Sequence, residues 1–345
     1  MNSTALPEWK QAGSGRSAGG RLEPSRDPGR VPTLSAIVPA TDSPPWLARA
    51  ETAIRGSLDP PDEVIVVRSP PNAGPAEARN VGAERARGDV LVFVDADMVV
   101  HPDAFRRIRA AYWADPGLTA VFGSYDDGPS DPGLVSAFRN LLHHHVHCSQ
   151  PGPSRTFWSG LGAVRRDAFL KVGGFDSARY PLPSIEDVEL GTRLAASGAW
   201  IDLDSRVRAT HLKHWSLRGM VETDFRRRGV PWVAMLLRGS SSASALNLSS
   251  KHRVSAAGCV VGVLAFLLRR RRVALAALLT VLALNHSFYA LLWRQQGPVR
   301  AVVGIGLHIV HHLTAVAAVP AGVFVHFRER RAAKPSGDAG LRVAG

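Results

Sequence analysis

An apolar run at residues 90–94, Val-Leu-Val-Phe-Val, is followed directly by two carboxylates in the sequence Asp95-Ala96-Asp97. Such a short apolar run is typical of a strand that is buried on both faces. In an open α/β sheet, ligands bind outside the carboxyl ends of the strands, where Asp95 and Asp97 would lie. Two carboxylates in this arrangement can share a divalent cation that prefers oxygen ligands, such as Mg²⁺ or Mn²⁺. An isolated Asp-x-Asp is more often a solvated turn than a metal site. Other motifs of the chain are therefore needed to distinguish these two interpretations.

The segments before this run alternate between strand and helix patterns. β-Branched runs occur at residues 34–40 and 63–67, and helix-forming segments follow each of them, at about residues 46–56 and 75–89. The second helix has Pro in its first turn and Gly near its end, which are ordinary start and stop signals. This alternation predicts βαβ units, and therefore an α/β fold built on parallel strands.

Several short motifs follow one another in an order that resembles a known enzyme family. They are Ile37-Val38-Pro39, Ala78-Arg79-Asn80, Asp95-Ala96-Asp97, Phe157-Trp158-Ser159-Gly160, Gly173-Gly174-Phe175-Asp176 and Glu186-Asp187. Together they resemble the family-2 inverting glycosyltransferases of GT-A fold, over roughly residues 35–231. The resemblance implies a GT-A domain at residues 34–240, with a Rossmann-like and mostly parallel central sheet.

The resemblance also implies a donor and a set of residues that bind it. The donor would be a nucleotide-diphosphate sugar, bound together with Mg²⁺ or Mn²⁺. The residues implied for nucleotide-sugar binding are Pro39, Arg79, Asp95, Asp97 and Gly160, and those implied for the metal are Asp95, Asp97 and His211. For His211, contact with the acceptor or a phosphate, or a purely structural hydrogen bond, stays open as an alternative.

Glycosyl transfer further needs a group that takes a proton from the acceptor hydroxyl. Glu186 and Asp187 precede a predicted helix at residues 188–197, and the dipole of that helix favours ionised carboxylates at its N-terminus. The resemblance assigns the base to Asp187, with Glu186 as the second acid of the pair. Without the resemblance, two ordinary first-turn helix acids would explain the same sequence.

The end of the second predicted strand departs from the family pattern. Members of the family usually carry an Asp there that helps to hold the nucleobase, whereas this chain has Arg68 and Ser69. The choice of nucleobase is therefore left open.

The chain of 345 residues is basic, with a formal net charge of +13 and arginine clusters at residues 226–228, 269–272 and 328–331. Nucleic-acid binding would be one explanation. We expect no nucleic-acid partner, because no nucleic-acid module accompanies the clusters and two of them border long apolar runs, as cytosolic residues beside membrane helices do. The two cysteines, Cys148 and Cys259, are far apart, which favours a reducing compartment without a disulfide framework.

The last third of the chain contains three apolar runs, at residues 254–268, 273–293 and 301–327. A membrane-spanning helix needs ~20 apolar residues. The last two runs meet this length and the first is borderline, so we expect a multi-pass membrane protein with two or three spans. Placing the arginine clusters in the cytosol suits two spans and a cytoplasmic catalytic domain.

The full predicted organisation has five parts. They are a disordered N-terminal segment (1–33), the GT-A domain (34–240), a linker (241–253), an α-helical transmembrane region (254–327) and a disordered basic tail (328–345). The N-terminal segment is polar, rich in Gly, Pro, Ser and Arg, and lacks the apolar stretch of a signal peptide.

Two groups of histidines stand apart from the motifs. His308, His311 and His312 share one face of a helix, which favours a polar face turned toward neighbouring helices or the headgroups over a metal site or an acceptor-phosphate contact. The tract His143-His144-His145-Val146-His147 has no carboxylate at ligand spacing. It favours the lining of an acceptor cleft, or a solvated helix, over metal binding.

The sequence therefore predicts a membrane-anchored inverting glycosyltransferase. Its acceptor would be a hydroxyl group of a lipid-linked molecule or cell-envelope glycan, reached at the membrane lipid. A non-catalytic transferase-like membrane protein is the main alternative, and Arg68 is its best support. A sugar nucleotidyltransferase is disfavoured, because the Gly-rich, Arg-bearing loop of that class does not follow the first strand.

Overall fold

The computed structural model of the protein describes residues 30–239 and 250–332. Residues 1–29, 240–249 and 333–345 lie outside the described part. Most of the predicted disordered N-terminal segment, most of the predicted linker and most of the predicted tail are therefore outside it. The last few residues of that linker and the first few of that tail are helical.

Strands and helices alternate through the first two thirds of the chain. The strands are β1 (Leu34–Pro39), β2 (Glu63–Val67), β3 (Val90–Val94), β4 (Met98–Val100), β5 (Leu118–Tyr125), β6 (Gly152–Ser154), β7 (Leu161–Arg165) and β8 (Trp200–His211). The helices among them are α1 (Leu47–Arg55), α2 (Pro75–Arg85), α3 (Ala104–Ala114), α4 (Leu134–Cys148), α5 (Arg166–Lys171), α6 (Glu186–Ala196), α7 (Leu217–Glu222), a π-helix (Thr223–Gly229) and α8 (Val230–Leu237). The C-terminal helices are α9 (Ser250–Leu267), α10 (Arg271–Leu284) and α11 (His286–Ala332).

The strands form one eight-stranded sheet in the order β2-β1-β3-β7-β5-β8-β4, with β6 paired to β8. Strand β1 is parallel to β2 and to β3, as the alternation predicts. Strand β7 then pairs antiparallel with both β3 and β5, while β5 and β8 are parallel. Strands β4 and β6 are antiparallel to β8. The α/β fold class is confirmed, and the sheet is mixed rather than mostly parallel.

Strand β3 lies inside the sheet and is buried on both faces, as its apolar run predicts. Successive side chains of a strand point to opposite faces. Val90, Val92 and Val94 accordingly pack in a cluster with residues of α1 and α3. Leu91 and Phe93 pack on the other face, with residues of α2, α5 and α6. Two helical layers therefore enclose this strand, which ends at the first acid of the Asp-x-Asp motif.

Helices α9 and α10 are connected by a tight turn at Arg269, whose φ is 57°, and they pack against each other. Helix α10 ends at Leu284, within the predicted span at residues 273–293. The buried Asn285 lies at this break, and its side-chain amide donates to Ser255 Oγ of α9 at 2.8 Å. Because α10 ends at Leu284 and α11 begins at His286, the second predicted span is not one continuous helix.

Helix α11 is kinked at Gly297, where φ is 76°, and it packs on α4, the π-helix and α8. His311 Nδ1 lies 2.7 Å from Asp224 Oδ2. Near the end of the helix, Glu329 Oε2 accepts a hydrogen bond of 2.6 Å from Arg238 Nη1. The helix is thus tied to the α/β domain at its middle and near its end.

Within the part of the chain that the structure describes, one helix is long and apolar enough to cross a membrane, judged by length and composition. It is His286–Arg331, which covers almost all of α11. The structure does not support the predicted multi-pass arrangement of two or three spans, because α9 and α10 do not meet the same test.

The tight packing of α6 generates the first prediction. A Cβ atom on Gly191 would overlap backbone atoms of Thr156 and Phe157, and backbone cannot move aside as a flexible side chain can. We expect Gly191→Ala to lower the free energy of unfolding by about 1–3 kcal/mol, the usual cost of overpacking. Denaturant unfolding of the full chain in detergent would measure it. Gly128→Ala, whose Cβ would meet a single oxygen at 3.9 Å, is the control, and an equal loss there would contradict the packing argument.

Candidate active site

A buried guanidinium group holds two carboxylates together at the carboxyl edge of the sheet. Arg79 of α2 is 4% exposed, and its Nη2 donates to Asp95 Oδ1 at 2.6 Å. Its Nη1 donates to Glu186 Oε1 at 3.0 Å. Burial lowers the pKa of Arg79, but the charges of Asp95 and Glu186 outweigh it and raise the pKa overall. One cation therefore joins α2, the end of β3 and the first turn of α6.

The two acids of the Asp-x-Asp motif have different partners. Burial and the charge of Asp97 raise the pKa of Asp95, although its ion pair with Arg79 opposes the shift. Asp97 Oδ2 instead lies 3.4 Å from His211 Nε2. Burial raises the pKa of Asp97, but the hydrogen bond and charge of His211 and the charge of Lys213 outweigh it and lower the pKa overall. Asp97 is thus the acid of the motif that stays ionised most readily.

The pairing of β4 with β8 brings His211 beside Asp97. Met98 and His211 are register partners in this antiparallel pair. Leu212 N–H donates to the carbonyl oxygen of Asp97 at 2.8 Å. Backbone hydrogen bonds therefore hold Asp97 and His211, two of the three residues predicted to bind a metal, next to each other.

Asp187 lies in the first turn of α6 and has hydrogen-bond donors but no cation as a partner in the described part of the chain. Its Oδ2 accepts from Ser159 N–H at 3.1 Å, and its Oδ1 accepts from Val188 N–H at 2.8 Å. Burial and the charge of Glu186 raise its pKa to about 6, against the opposing charge of Arg79. A carboxylate with a pKa near neutrality is suited to accept a proton.

Glu186 has a supporting position instead. It is 5% exposed. Its Oε1 accepts from Arg79 and its Oε2 accepts from Ser184 N–H at 2.8 Å. Because both oxygens are engaged inside the protein, the structure favours Asp187 over Glu186 as the proton acceptor.

The two remaining residues implied for the donor lie at the same edge of the sheet. Pro39 ends β1, which runs parallel to β3. The carbonyl oxygen of Gly160 accepts from Asp95 N–H at 3.1 Å. A Cβ on Gly160 would overlap the indole ring of Trp158, so glycine is needed for this close approach.

An aromatic residue for which no role was predicted also lies here. Tyr125 ends β5, and its ring stacks on that of His211 with centroids 4.5 Å apart. The indole ring of Trp158, a residue of the motif at 157–160, meets the ring of Tyr125 with centroids 5.2 Å apart. The position of Tyr125 at the end of a buried strand, before two further acids, was the signal that could have identified it.

The histidine tract belongs to α4 and lies against these rings. His143 and His147 have ring centroids 4.5 and 5.4 Å from Trp158. In α11, His308 and His312 are buried, and His311 pairs with Asp224 of the π-helix. The predicted polar face turned toward neighbouring helices is therefore present in α11.

Arg68, the departure from the family pattern, lies on the surface. Its Nη2 is 3.2 Å from Glu51 Oε1 of α1. Arg68 therefore has a local ion-pair partner, and the choice of nucleobase stays open.

The predicted metal set is only partly assembled. Within residues 30–239 and 250–332, no group of three or more His, Cys, Asp or Glu side chains has a geometry that could hold a metal ion. Asp95 is turned to Arg79. The pair Asp97 and His211 does fit, because two ligand atoms each ~2.1 Å from one cation lie about 3–3.5 Å apart at ordinary coordination angles. The protein thus offers two ligands in place, and a bound diphosphate would have to supply others.

Comparison with known families agrees with this geometry. Residues 35–173 match the family model described as Glycosyl transferase family 2. This part of the chain is therefore similar to family 2 glycosyltransferase domains. The matched residues include the strand β3, the Asp-x-Asp motif, Arg79 and Tyr125, whereas the family 2 match ends before Asp187 and His211.

Two curated relatives are similar to part of this chain. An uncharacterized glycosyltransferase of Haemophilus influenzae is 26% identical over 172 residues, which are 47% of this chain and 54% of that protein. A glucosyl-dolichyl phosphate glucuronosyltransferase of Haloferax volcanii is 29% identical over 127 residues, 34% of this chain and 39% of that protein. The chain thus spans about half the length of the first relative and less of the second.

A solved structure is similar over most of the chain. It is a mannosyltransferase from Pyrobaculum calidifontis in complex with GDP-Man and Mn²⁺, with 16% identity and a TM-score of 0.49. The similarity covers 88% of this chain and 89% of that one.

The central ion pairs generate the second prediction. Arg79→Met should leave the buried Glu186 and the half-buried Asp95 without their cation and lower the free energy of unfolding by about 3–5 kcal/mol. Arg68→Met is the matched control, because Arg68 is 64% exposed where it pairs with Glu51 at 3.2 Å and an exposed pair contributes about 0–1 kcal/mol. Denaturant unfolding of both variants in detergent measures the difference. Equal losses would show that Arg79 does not hold the site together.

Proposed function

We propose that the protein is an inverting glycosyltransferase that moves a sugar from a nucleotide-diphosphate donor to a hydroxyl acceptor. The observation that carries the proposal is that four acids at one edge of the sheet have different pairing partners. Asp95 and Glu186 share Arg79, and Asp97 pairs with His211. Asp187 alone among them has no arginine or histidine partner in the described residues, and its pKa is raised to about 6. An inverting transfer needs a single base, and the arrangement supplies one.

The proton of the acceptor hydroxyl passes to Asp187 in this mechanism. As the acceptor oxygen forms its bond to the anomeric carbon, the bond from that carbon to the diphosphate breaks. The hydrogen bonds from Ser159 and Val188 hold the carboxylate of Asp187 in one orientation. Buried surroundings raise its affinity for the proton. The nucleoside diphosphate leaves with the electrons of the broken bond.

The leaving diphosphate carries negative charge that has to be offset. Asp97 and His211, with Asp95 beside them, would hold a Mg²⁺ or Mn²⁺ ion, which supplies positive charge next to the diphosphate. Lys213 lies close enough for its charge to act on Asp97. Pro39 and Gly160 would border the donor, while Arg79 fixes Asp95 rather than binding the donor directly.

The helical C-terminal region supports a position at a membrane. Large exposed apolar side chains lie along α9, α10 and α11, among them Phe266, Leu267, Leu268, Val299 and Phe324. Basic residues follow these apolar segments at residues 269–272 and 328–331. We propose that the exposed apolar side chains of α9, α10 and α11 hold the enzyme at the membrane, with the α/β domain on the cytoplasmic side. The acceptor would then be lipid-linked or part of a cell-envelope glycan.

Two other functions receive less support. A non-catalytic protein would not need to keep Asp95, Asp97 and Asp187 in one polar site, and Arg68, its best support, has a local ion pair. A sugar nucleotidyltransferase does not explain a base at the start of α6.

The third prediction tests the activity and the metal together. Purified full-length protein should hydrolyse or transfer one member of a panel of UDP-, GDP- and dTDP-sugars, with EDTA abolishing turnover and Mn²⁺ or Mg²⁺ restoring it. Asp97→Ala should lower turnover by about 10²–10³-fold, as loss of a positioned electrostatic group does. Glu84→Ala, at an exposed acid of α2, is the control. Full activity in EDTA would overturn the metal assignment, and no activity with any donor would favour the non-catalytic protein.

The fourth prediction concerns pH. Because the pKa of Asp187 is raised to about 6, the carboxyl group is protonated below that pH and cannot act as a base. We expect kcat/KM to rise with pH to a plateau, with a midpoint near 6. Glu186→Gln should move this midpoint to lower pH, since the charge of Glu186 raises the pKa of Asp187. Asp187→Asn should remove the activity while donor binding persists. A midpoint that Glu186→Gln leaves unchanged would contradict the assignment.

A further inference from the structure

Three rings form a stack beside Asp97. The ring of Tyr125 is stacked with His143, at 4.0 Å between centroids and 27° between planes. It is also stacked with His211, at 4.5 Å and 10°. Two rings cannot occupy the same face at these distances, so Tyr125 lies between the two histidines. The His143–Tyr125–His211 group, called the ring stack below, ends at the nitrogen that faces Asp97.

Trp158 packs against the side of the ring stack, next to the proposed base Asp187. The indole of Trp158 meets Tyr125 edge-on at 5.2 Å and 80°, and lies 4.5 Å from His143. The next residue, Ser159, donates its N–H to Asp187. The same aromatic group thus adjoins both the proposed metal ligands and the proposed base.

The backbone alone does not fix the ring of His211. Its main chain is held by the pairing with Met98 and by a hydrogen bond of 2.6 Å from Ser130 Oγ to its carbonyl oxygen. These contacts leave the orientation of the imidazole plane open. The nearly parallel face of Tyr125, at 10°, is the contact that sets this plane and directs Nε2 at Asp97.

Helix α4 supplies the other end of the ring stack. Its residues His143 and His147 contact the aromatic group. Its residues Phe138 and Leu141 belong to an apolar cluster with Phe288 and other side chains of α11. One face of α4 therefore touches the site and another touches the C-terminal helices.

We propose that Tyr125 and His143 are positioning residues, which orient His211 and thereby set the affinity of the Asp97–His211 pair for a divalent cation. The inference rests on the metal role given to that pair under the proposed function. Residues that orient a metal-ligating histidine typically change metal affinity by about 10–100-fold when they are removed. Here the orientation comes from stacking in place of the more usual hydrogen bond.

The test measures Mn²⁺ binding rather than turnover. Full-length protein in detergent is titrated with Mn²⁺, with and without inorganic pyrophosphate, and free Mn²⁺ is followed by electron paramagnetic resonance. Tyr125→Leu removes the flat ring and should raise the Kd for Mn²⁺ by about 10–100-fold. Tyr125→Phe keeps the ring and should retain the affinity. His143→Ala, which removes only the outer ring, should weaken binding less than Tyr125→Leu.

A control on the same helix separates positioning from folding. His145 lies on α4 but contacts Phe288 at 5.3 Å rather than the ring stack, so His145→Ala should bind Mn²⁺ like the unchanged protein. Thermal unfolding of each variant shows whether it is folded. If Tyr125→Leu does not fold, the comparison of His143→Ala with His145→Ala decides the question.

The outcomes distinguish this inference from the proposed function. If the unchanged protein binds Mn²⁺ and Tyr125→Leu or His143→Ala binds it equally well, the positioning role alone is overturned. Equal weakening by His145→Ala also overturns it, since the effect would then be general to α4. Unchanged protein that binds no Mn²⁺ under either condition overturns the metal role and this inference together.

Discussion

The buried guanidinium of Arg79 is the interaction on which the rest of the site depends. Four carboxylates at one edge of a sheet repel one another, and burial makes that repulsion costly. Arg79 neutralises two of them, Asp95 and Glu186. Asp187 and Asp97 can then differ in their affinity for protons. Asp97 stays ionised beside His211, and Asp187 has a raised pKa, because Arg79 offsets the charge of the other two acids.

The parts of the fold that the sequence predicted are those with a clear local period. Strands β1 to β3 and helices α1 and α2 have apolar runs, Pro and Gly at the expected places. Strands β4 and β6 are three residues each and give no pattern. The buried Asn285 at the end of α10 is hydrogen-bonded to Ser255, thirty positions away, and a hydropathy window does not contain that contact. Local signals therefore predicted elements, whereas contacts made only after folding decided the sheet order.

The same distinction applies to the site. Motif order predicted Asp95, Asp97 and Asp187 as site residues, because spacing along the chain carries that information. It did not predict which side chains pair with each other: Arg79 and Glu186 are 107 positions apart. Tyr125 was missed for the same reason, since its role arises from a ring brought in by β8. A residue type predicts what a side chain can do, and its neighbours decide which of those things it does.

The close fit between α11 and the α/β domain limits how such a protein can evolve. A Cβ on Gly229 would press on Ala318, and one on Gly322 would press on Val233. Small residues on both partners therefore allow the helices to approach. A generic hydrophobic anchor, recruited by gene fusion, would lack these small residues and the histidine that meets Asp224. Helix α11 and the α/β domain are thus expected to have changed together, as one inherited unit rather than as exchangeable modules.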